Sequence, residues 1–191
     1  MTVEYKDKDA IAQEVRDRVL KLWPDTQDTP FGSCMHHTLV GAVVLAEHGI
    51  QVGMQAGSVS WPIIDMAKDD GVQNTHFSMM WEPTHPSSMM SLMNGGIPEL
   101  HSWLGIATTQ TIIDFSTYQL KKVAKSTANL EWEGEDPPDY LWCGCDEIPE
   151  HVHYSPEIGC MQFVNDTLPK LWATRQVEDN NEERSEENTD E

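Results

Sequence analysis

Residues 31–50 read Phe-Gly-Ser-Cys-Met-His-His-Thr-Leu-Val-Gly-Ala-Val-Val-Leu-Ala-Glu-His-Gly-Ile. Gly32 suits a turn and Ser33 offers an N-cap oxygen, so Cys34 through His48 read as a helix that Gly49 ends. Its interior, Leu39–Ala46, is apolar nearly all round, which places it in the middle of a domain rather than on a surface. Upstream, Ile11, Val15, Val19 and Leu22 recur at helical spacing, with Asp7 or Asp9 as cap and Trp23-Pro24 as the stop. Downstream the texture changes to strands: Ile50–Val59, Thr75–Trp81, Leu100–Ile106 and Thr111–Phe115 are short and separated by Gly, Pro or Asn. The last two are close enough to pair as a hairpin through Ala107–Gln110. Glu82–Pro98 reads as a long loop, with Met80, Met89, Met90 and Met93 in it or just before it, a candidate binding element. Ser116–Ser126 reads as a short helix, Asp136–Asp139 as a turn, and Ile158–Trp172 as a mixed segment broken at Pro169. The expected class is α+β, a buried helix packed on an antiparallel sheet.

A chain of 191 residues with 39% apolar content, seven Trp and ten Met suits one folded domain. The reading assigns residues 1–176 to that domain and 177–191 to a disordered acidic tail. Residues 178–191 hold eight of the 32 acids against one Arg, and the remainder still carries a net charge of −13. Such a surface disfavours binding to nucleic acid or to anionic lipid. Its bland meaning is solubility; its sharper one is an acidic decoy that mimics DNA. No apolar run approaches the ~20 residues of a membrane span, and the charged N-terminus lacks the apolar core of a secretory signal, so a cytoplasmic location is expected. In that setting Cys34, Cys143, Cys145 and Cys160 are better read as reactive or metal-binding thiols than as structural disulfides.

Three segments carry the chemistry. Phe31-Gly32-Ser33-Cys34 delivers a thiol to the first turn of the buried helix, where the helix dipole and unpaired N–H groups favour thiolate. Leu100-His101-Ser102-Trp103 puts a His and a Trp on the same face of a strand. Ile112-Ile113-Asp114 ends a strand in a carboxylate with apolar neighbours. Each alone is weak: a Cys on an apolar helix is commonly an inert core residue, and a strand His is commonly structural. Taken in order, Gly32-Ser33-Cys34, His101-Ser102-Trp103 and Ile112-Ile113-Asp114 resemble the Gly-x-Cys, His-(Ala/Ser)-Trp and apolar-apolar-Asp motifs of the transglutaminase-like branch of the papain-like superfold. The run from Cys34 to Ile50 looks like the corresponding part of the lasso-peptide leader peptidases, and arylamine acetyltransferases share the general layout. The resemblance covers roughly residues 30–118, and its motifs are short.

The resemblance implies a papain-like domain in which the Cys-bearing helix packs on a sheet carrying His and Asp. It implies thiol-dependent hydrolysis of a peptide or protein substrate through a thioester, without a cofactor. Cys34 is then the nucleophile, His101 the acid–base partner, and Asp114 the group that holds the His tautomer. Backbone N–H of Cys34 would stabilise the oxyanion with a second donor, for which Gln27 is a candidate, and Trp103 would line the pocket. His76, on the strand before the Met-rich insert, is the rival base and otherwise a pocket-lining or core residue; His36 and His37 read as surface or helix-packing residues. Cys143, Cys145, His151, His153 and Cys160 form a weaker cluster that suggests zinc, though Cys-x-Cys with His-x-His departs from the usual ligand spacing. The alternative from another class is a non-enzymatic acidic binding protein, either a degenerate family member or the DNA-mimic decoy.

Overall fold

The structure, a computed structural model, describes residues 7–65, 75–81 and 99–187 with the isolated positions 86, 90 and 93, and describes side chains through residue 173. The expectation of a binding loop at Glu82–Pro98 lies almost wholly outside the described residues; within it Met90 and Met93 are exposed. Among the described residues, four α-helices and six strands make an α+β fold. Helix α1 (Lys8–Leu22) is capped by Asp7, whose carboxylate accepts from the Ala10 N–H at 3.1 Å. It buries Ile11, Val15 and Val19, the stripe that the helical spacing predicts. A 3-10 turn (Pro24–Gln27) leads to α2 (Ser33–Glu47), which Gly49 closes with φ of 75°. Among the described residues no helix is long and apolar enough to cross a membrane.

The sheet contains β1 (Gly53–Pro62), β2 (His76–Met79), β3 (His101–Ile106), β4 (Thr111–Asp114), β5 (Leu141–Gly144) and β6 (His153–Pro156), and every pairing is antiparallel. β2 and β3 pair with successive stretches of β1, Val59–Pro62 and Gly53–Gly57; β4 and β5 extend the sheet from β3, and β6 pairs with β1. The hairpin of β3 and β4 through Ala107–Gln110 is the one the spacing predicts.

Side-chain alternation decides the rest. On β3, Leu104 and Ile106 join Val40, Val44 and Leu45 of α2 and the α1 stripe in one core cluster. Trp103 faces the other way, with Ile112 of β4 and with Leu120, Val123 and Ala124 of α3 (Leu120–Ala128). A third cluster seats α4 (Ile158–Glu187) against α2 and β1 through Cys160, Val164, Leu168 and Ala56. Helix α2 comes so close to the sheet that a methyl group at Gly41 would lie 2.7 Å from the Phe115 ring. That approach explains why a helix this apolar contains a glycine.

Two local expectations need correction. Helix α2 begins at Ser33 rather than after it, so Ser33 is not a cap and its hydroxyl is used elsewhere. Pro169 does not break the C-terminal segment: α4 runs through it. Pro169 is exposed and borders an apolar pocket with Leu168 and Trp172, and the packing of Val164 and Leu168 on α2 and β1 holds the helix on the N-terminal side of the missing hydrogen bond and beside it.

Candidate active site

Gly32 adopts φ of 81°, a left-handed conformation that costs glycine little, and this turn delivers Cys34 to the first turn of α2. The preceding loop is held from the far side of the chain. Ser33 Oγ donates to Gln119 Oε1, and Gln119 Nε2 donates to the Thr26 carbonyl at 3.1 Å. Gln119 is buried in the 3-10 turn (Thr117–Gln119) that follows β4. Behind Cys34, the neutral ring of His37 bridges the Ser33 carbonyl at 2.8 Å and the Tyr118 hydroxyl at 3.1 Å, with its pKa lowered to about 4 by burial. His36 packs at a tilt against Trp23, ring centroids 4.4 Å apart, and is likewise lowered to about 4 by burial. Both are packing residues.

Cys34, His101 and Asp114 come together, with side chains drawn from α2, β3 and β4; they are 5%, 1% and 1% exposed. His101 Nε2 lies 2.6 Å from Asp114 Oδ2. The same oxygen accepts from the Tyr154 hydroxyl at 2.7 Å, while Oδ1 accepts from the Ser116 N–H at 2.9 Å and its hydroxyl at 2.7 Å. A carboxylate with four donors stays ionised even when buried. Burial pushes Asp114 up, but the charge and hydrogen bond of His101, with Ser116, hold it down at about 2. For His101, burial works downward and is outweighed by the charge and hydrogen bond of Asp114 and by Cys34, which raise it to about 10.

Burial also pushes the Cys34 thiol up. The neighbouring His101 with its positive charge, then the backbone and hydroxyl of Ser102, overcome this, and the net shift is downward. By strict geometry Nδ1 of His101 has no hydrogen-bond partner, and the thiol's regular bond is a long one of 3.9 Å to the Leu100 carbonyl. Thiol and ring are therefore neighbours in charge rather than a tight pair, the looser spacing common in resting nucleophile–base pairs. Trp103 stacks on His101 with ring centroids 6.2 Å apart, and Tyr154 stands edge-on to both rings. The cavity at Cys34, between Ser33, His101, Ser116, Gln119 and Met79, is about 10 Å³, room for a single water at most.

The other expectations fare differently. Gln27 is exposed on its 3-10 turn, its carbonyl accepting from Lys122 Nζ at 3.2 Å, and it does not line the Cys34 cavity. His76 bonds Thr75 Oγ1 at 2.8 Å and the His151 carbonyl at 3.2 Å, and it does not line the Cys34 cavity. The zinc alternative does not assemble. Cys143 sits on β5 and Cys145 just beyond it, His153 is exposed on β6, and Cys160 is buried in α4, donating to the Trp81 carbonyl at 3.2 Å. Neither these residues nor His151 belong to any group of three or more His, Cys, Asp or Glu side chains placed to hold a metal among the described residues.

Sequence reasoning missed Tyr154, Ser116 and Gln119. Ser116 was readable, because Asp-x-Ser after a strand is the pattern of an Asx turn. Tyr154 carries no local signal, since only the pairing of β6 with β1 brings it to Asp114. No family model, curated protein or solved structure matches the chain.

Proposed function

We propose that the chain is a thiol-dependent hydrolase of the transglutaminase-like, papain-like kind, acting on an amide or ester carbonyl of a peptide or protein. The observation that carries this reading is a single buried imidazole placed between the Cys34 thiol and a fully hydrogen-bonded Asp114 carboxylate. Cys34 Sγ attacks the carbonyl carbon as thiolate, and the new S–C bond pushes charge onto the carbonyl oxygen. That oxygen meets the Cys34 N–H, which lies in the first turn of α2, where the helix supplies no acceptor. The intermediate collapses as the C–N or C–O bond breaks and His101 gives its proton to the leaving group. Water then attacks the thioester, His101 takes a proton from it, and the acid leaves with the thiolate restored. Asp114 holds the imidazolium throughout and stays ionised.

The full chain with p-nitrophenyl acetate tests this. A burst of nitrophenolate stoichiometric with protein, lost in Cys34→Ala, is expected; a burst that survives Cys34→Ala overturns the assignment. A second reading, a non-enzymatic acidic binding protein, draws on the closed Cys34 cavity and the net charge of −20. It predicts no burst and no preferential alkylation of Cys34.

A further inference from the structure

A separate pocket of about 490 Å³ lies on the sheet face that carries Trp103. Its size falls within the ordinary range of small-molecule sites. Gly105 of β3 lies in its floor, where a methyl group would make ordinary contact with Gln55 Cγ at 3.4 Å and the Thr111 carbonyl at 3.6 Å. Trp103 and Tyr154, perpendicular rings 5.1 Å apart, form one wall. The side chains of Gln55 and Gln110 stand at the lining, and Cys145 is an exposed thiol at its edge. Gln110 adopts φ of 49°, a left-handed conformation that non-glycine residues seldom take outside turns and functional sites.

The charge of the lining is informative. In a chain of 32 acidic and 12 basic residues, none of the described residues that line this pocket is acidic, basic or His. A cation would find no carboxylate there, and an anion would find no basic partner and an adverse overall field. Flat aromatic walls and primary amides instead match a neutral ring that carries a carbonyl or N–H edge. The pocket is also distinct from the Cys34 cavity. The two share none of their lining residues, and Trp103 and Tyr154, which line the pocket, are the rings packed against His101.

We infer that this pocket is a second binding site, for an uncharged aromatic molecule bearing an amide-type edge, built against the back of the Cys34–His101–Asp114 set. The inference does not depend on the hydrolase reading, because binding is measured without catalysis. Cys145 provides the handle. Full-length protein is equilibrated under partly reducing conditions with symmetrical disulfides of a benzamide thiol and of benzoate and benzylammonium analogues. The Cys145 thiolate displaces one half of the disulfide as free thiol and retains the other, and mass mapping reads the fraction captured. Capture of the benzamide at Cys145 is expected at least about fivefold above both charged analogues. Gly105→Val, which fills the floor, and Ala107→Trp, which crowds the exposed rim, should each abolish the preference in protein that retains its melting temperature. Ala107 lies in the hairpin turn, so its variant is expected to fold even where Gly105→Val does not. Equal capture of the three compounds, or a preference indifferent to both variants, would overturn the inference.

Discussion

At the scale of the residue, the site is governed by how many donors share Asp114. Tyr154 takes part of the charge of Oδ2, the oxygen that also faces His101. Removing the hydroxyl in Tyr154→Phe leaves more of that charge to the imidazolium. The alkaline limb of Cys34 alkylation against pH is therefore expected to move upward, at a stability loss of about 1.5–3 kcal/mol. A limb that stays in place would make Tyr154 a packing residue only. Wild-type labelling has its own expectation: iodoacetamide at mildly acidic pH should modify Cys34 before Cys143 or Cys160, whose thiols are pushed up, first by burial and then by nearby acids. Labelling led by either of those two would sink the nucleophile assignment. His36 and His37 give a separate signature. Their folded pKa of about 4 lies below the ordinary 6.5, so the stability they contribute is present above pH 6.5 and lost as pH falls through 4. The His101–Asp114 pair behaves oppositely at its two ends. His101, raised from 6.5 to about 10, contributes fully below 6.5, and Asp114, lowered from 3.8 to about 2, contributes fully above 3.8. Between pH 3.8 and 6.5 the pair is constant and the slope of these four groups belongs to His36 and His37. His36→Phe keeps a ring on Trp23, and its melting temperature should fall less across that window than the wild type's.

At the scale of the element, α2 is the part most sensitive to change. Gly41→Ala puts a methyl group 2.7 Å from the Phe115 ring and 3.0 Å from Leu104, a contact that must push α2 off the sheet. A loss of about 1–3 kcal/mol is expected, read as a fall of several degrees in Tm. An unchanged Tm would show that the Phe115 ring gives way freely. The elements also show what was legible beforehand. Helices α1 and α2 and strands β1 to β4 were readable because each carries its own periodicity and its own terminators. Cys34, His101 and Asp114 could be singled out because each sits in a short motif with informative neighbours. β5 and β6 were not readable: they are four residues each, and β6 is mostly exposed, so no apolar alternation marks it. Tyr154 was lost with β6. Gln27 is a candidate donor by sequence alone, while the glutamine that braces the Cys34 loop is Gln119, 86 residues from its partner Ser33. Pro169 misled because tertiary packing of Val164, Leu168 and Trp172 holds the helix together across the bond that the proline removes.

At the scale of the whole molecule, charge and packing set separate limits. A net charge of −20 means that the folded chain repels itself, so added salt should raise Tm by screening. A Tm that falls with neutral salt would show that local ion pairs such as Arg18 with Glu14 and Glu47 outweigh the general repulsion. Docking of α4 rests on Cys160, Val164 and Leu168, with Leu171 and Trp172 packed beside them. The segment after Val177 contains no apolar residue, so deleting 177–191 should leave Tm nearly unchanged. A drop of many degrees would mean that the acidic end docks on the domain. The four donors on Asp114 carry a longer consequence. That carboxylate ties β4 to β3 through His101, to β6 through Tyr154 and to the following turn through Ser116. On the proposed reading, a lineage that abandoned chemistry would keep Asp114 and His101 for these ties, whereas Cys34, which makes none of them, would be freer to drift to Ser or Ala. If the proposed hydrolase reading holds, the thiol alone would separate working descendants of this chain from retired ones.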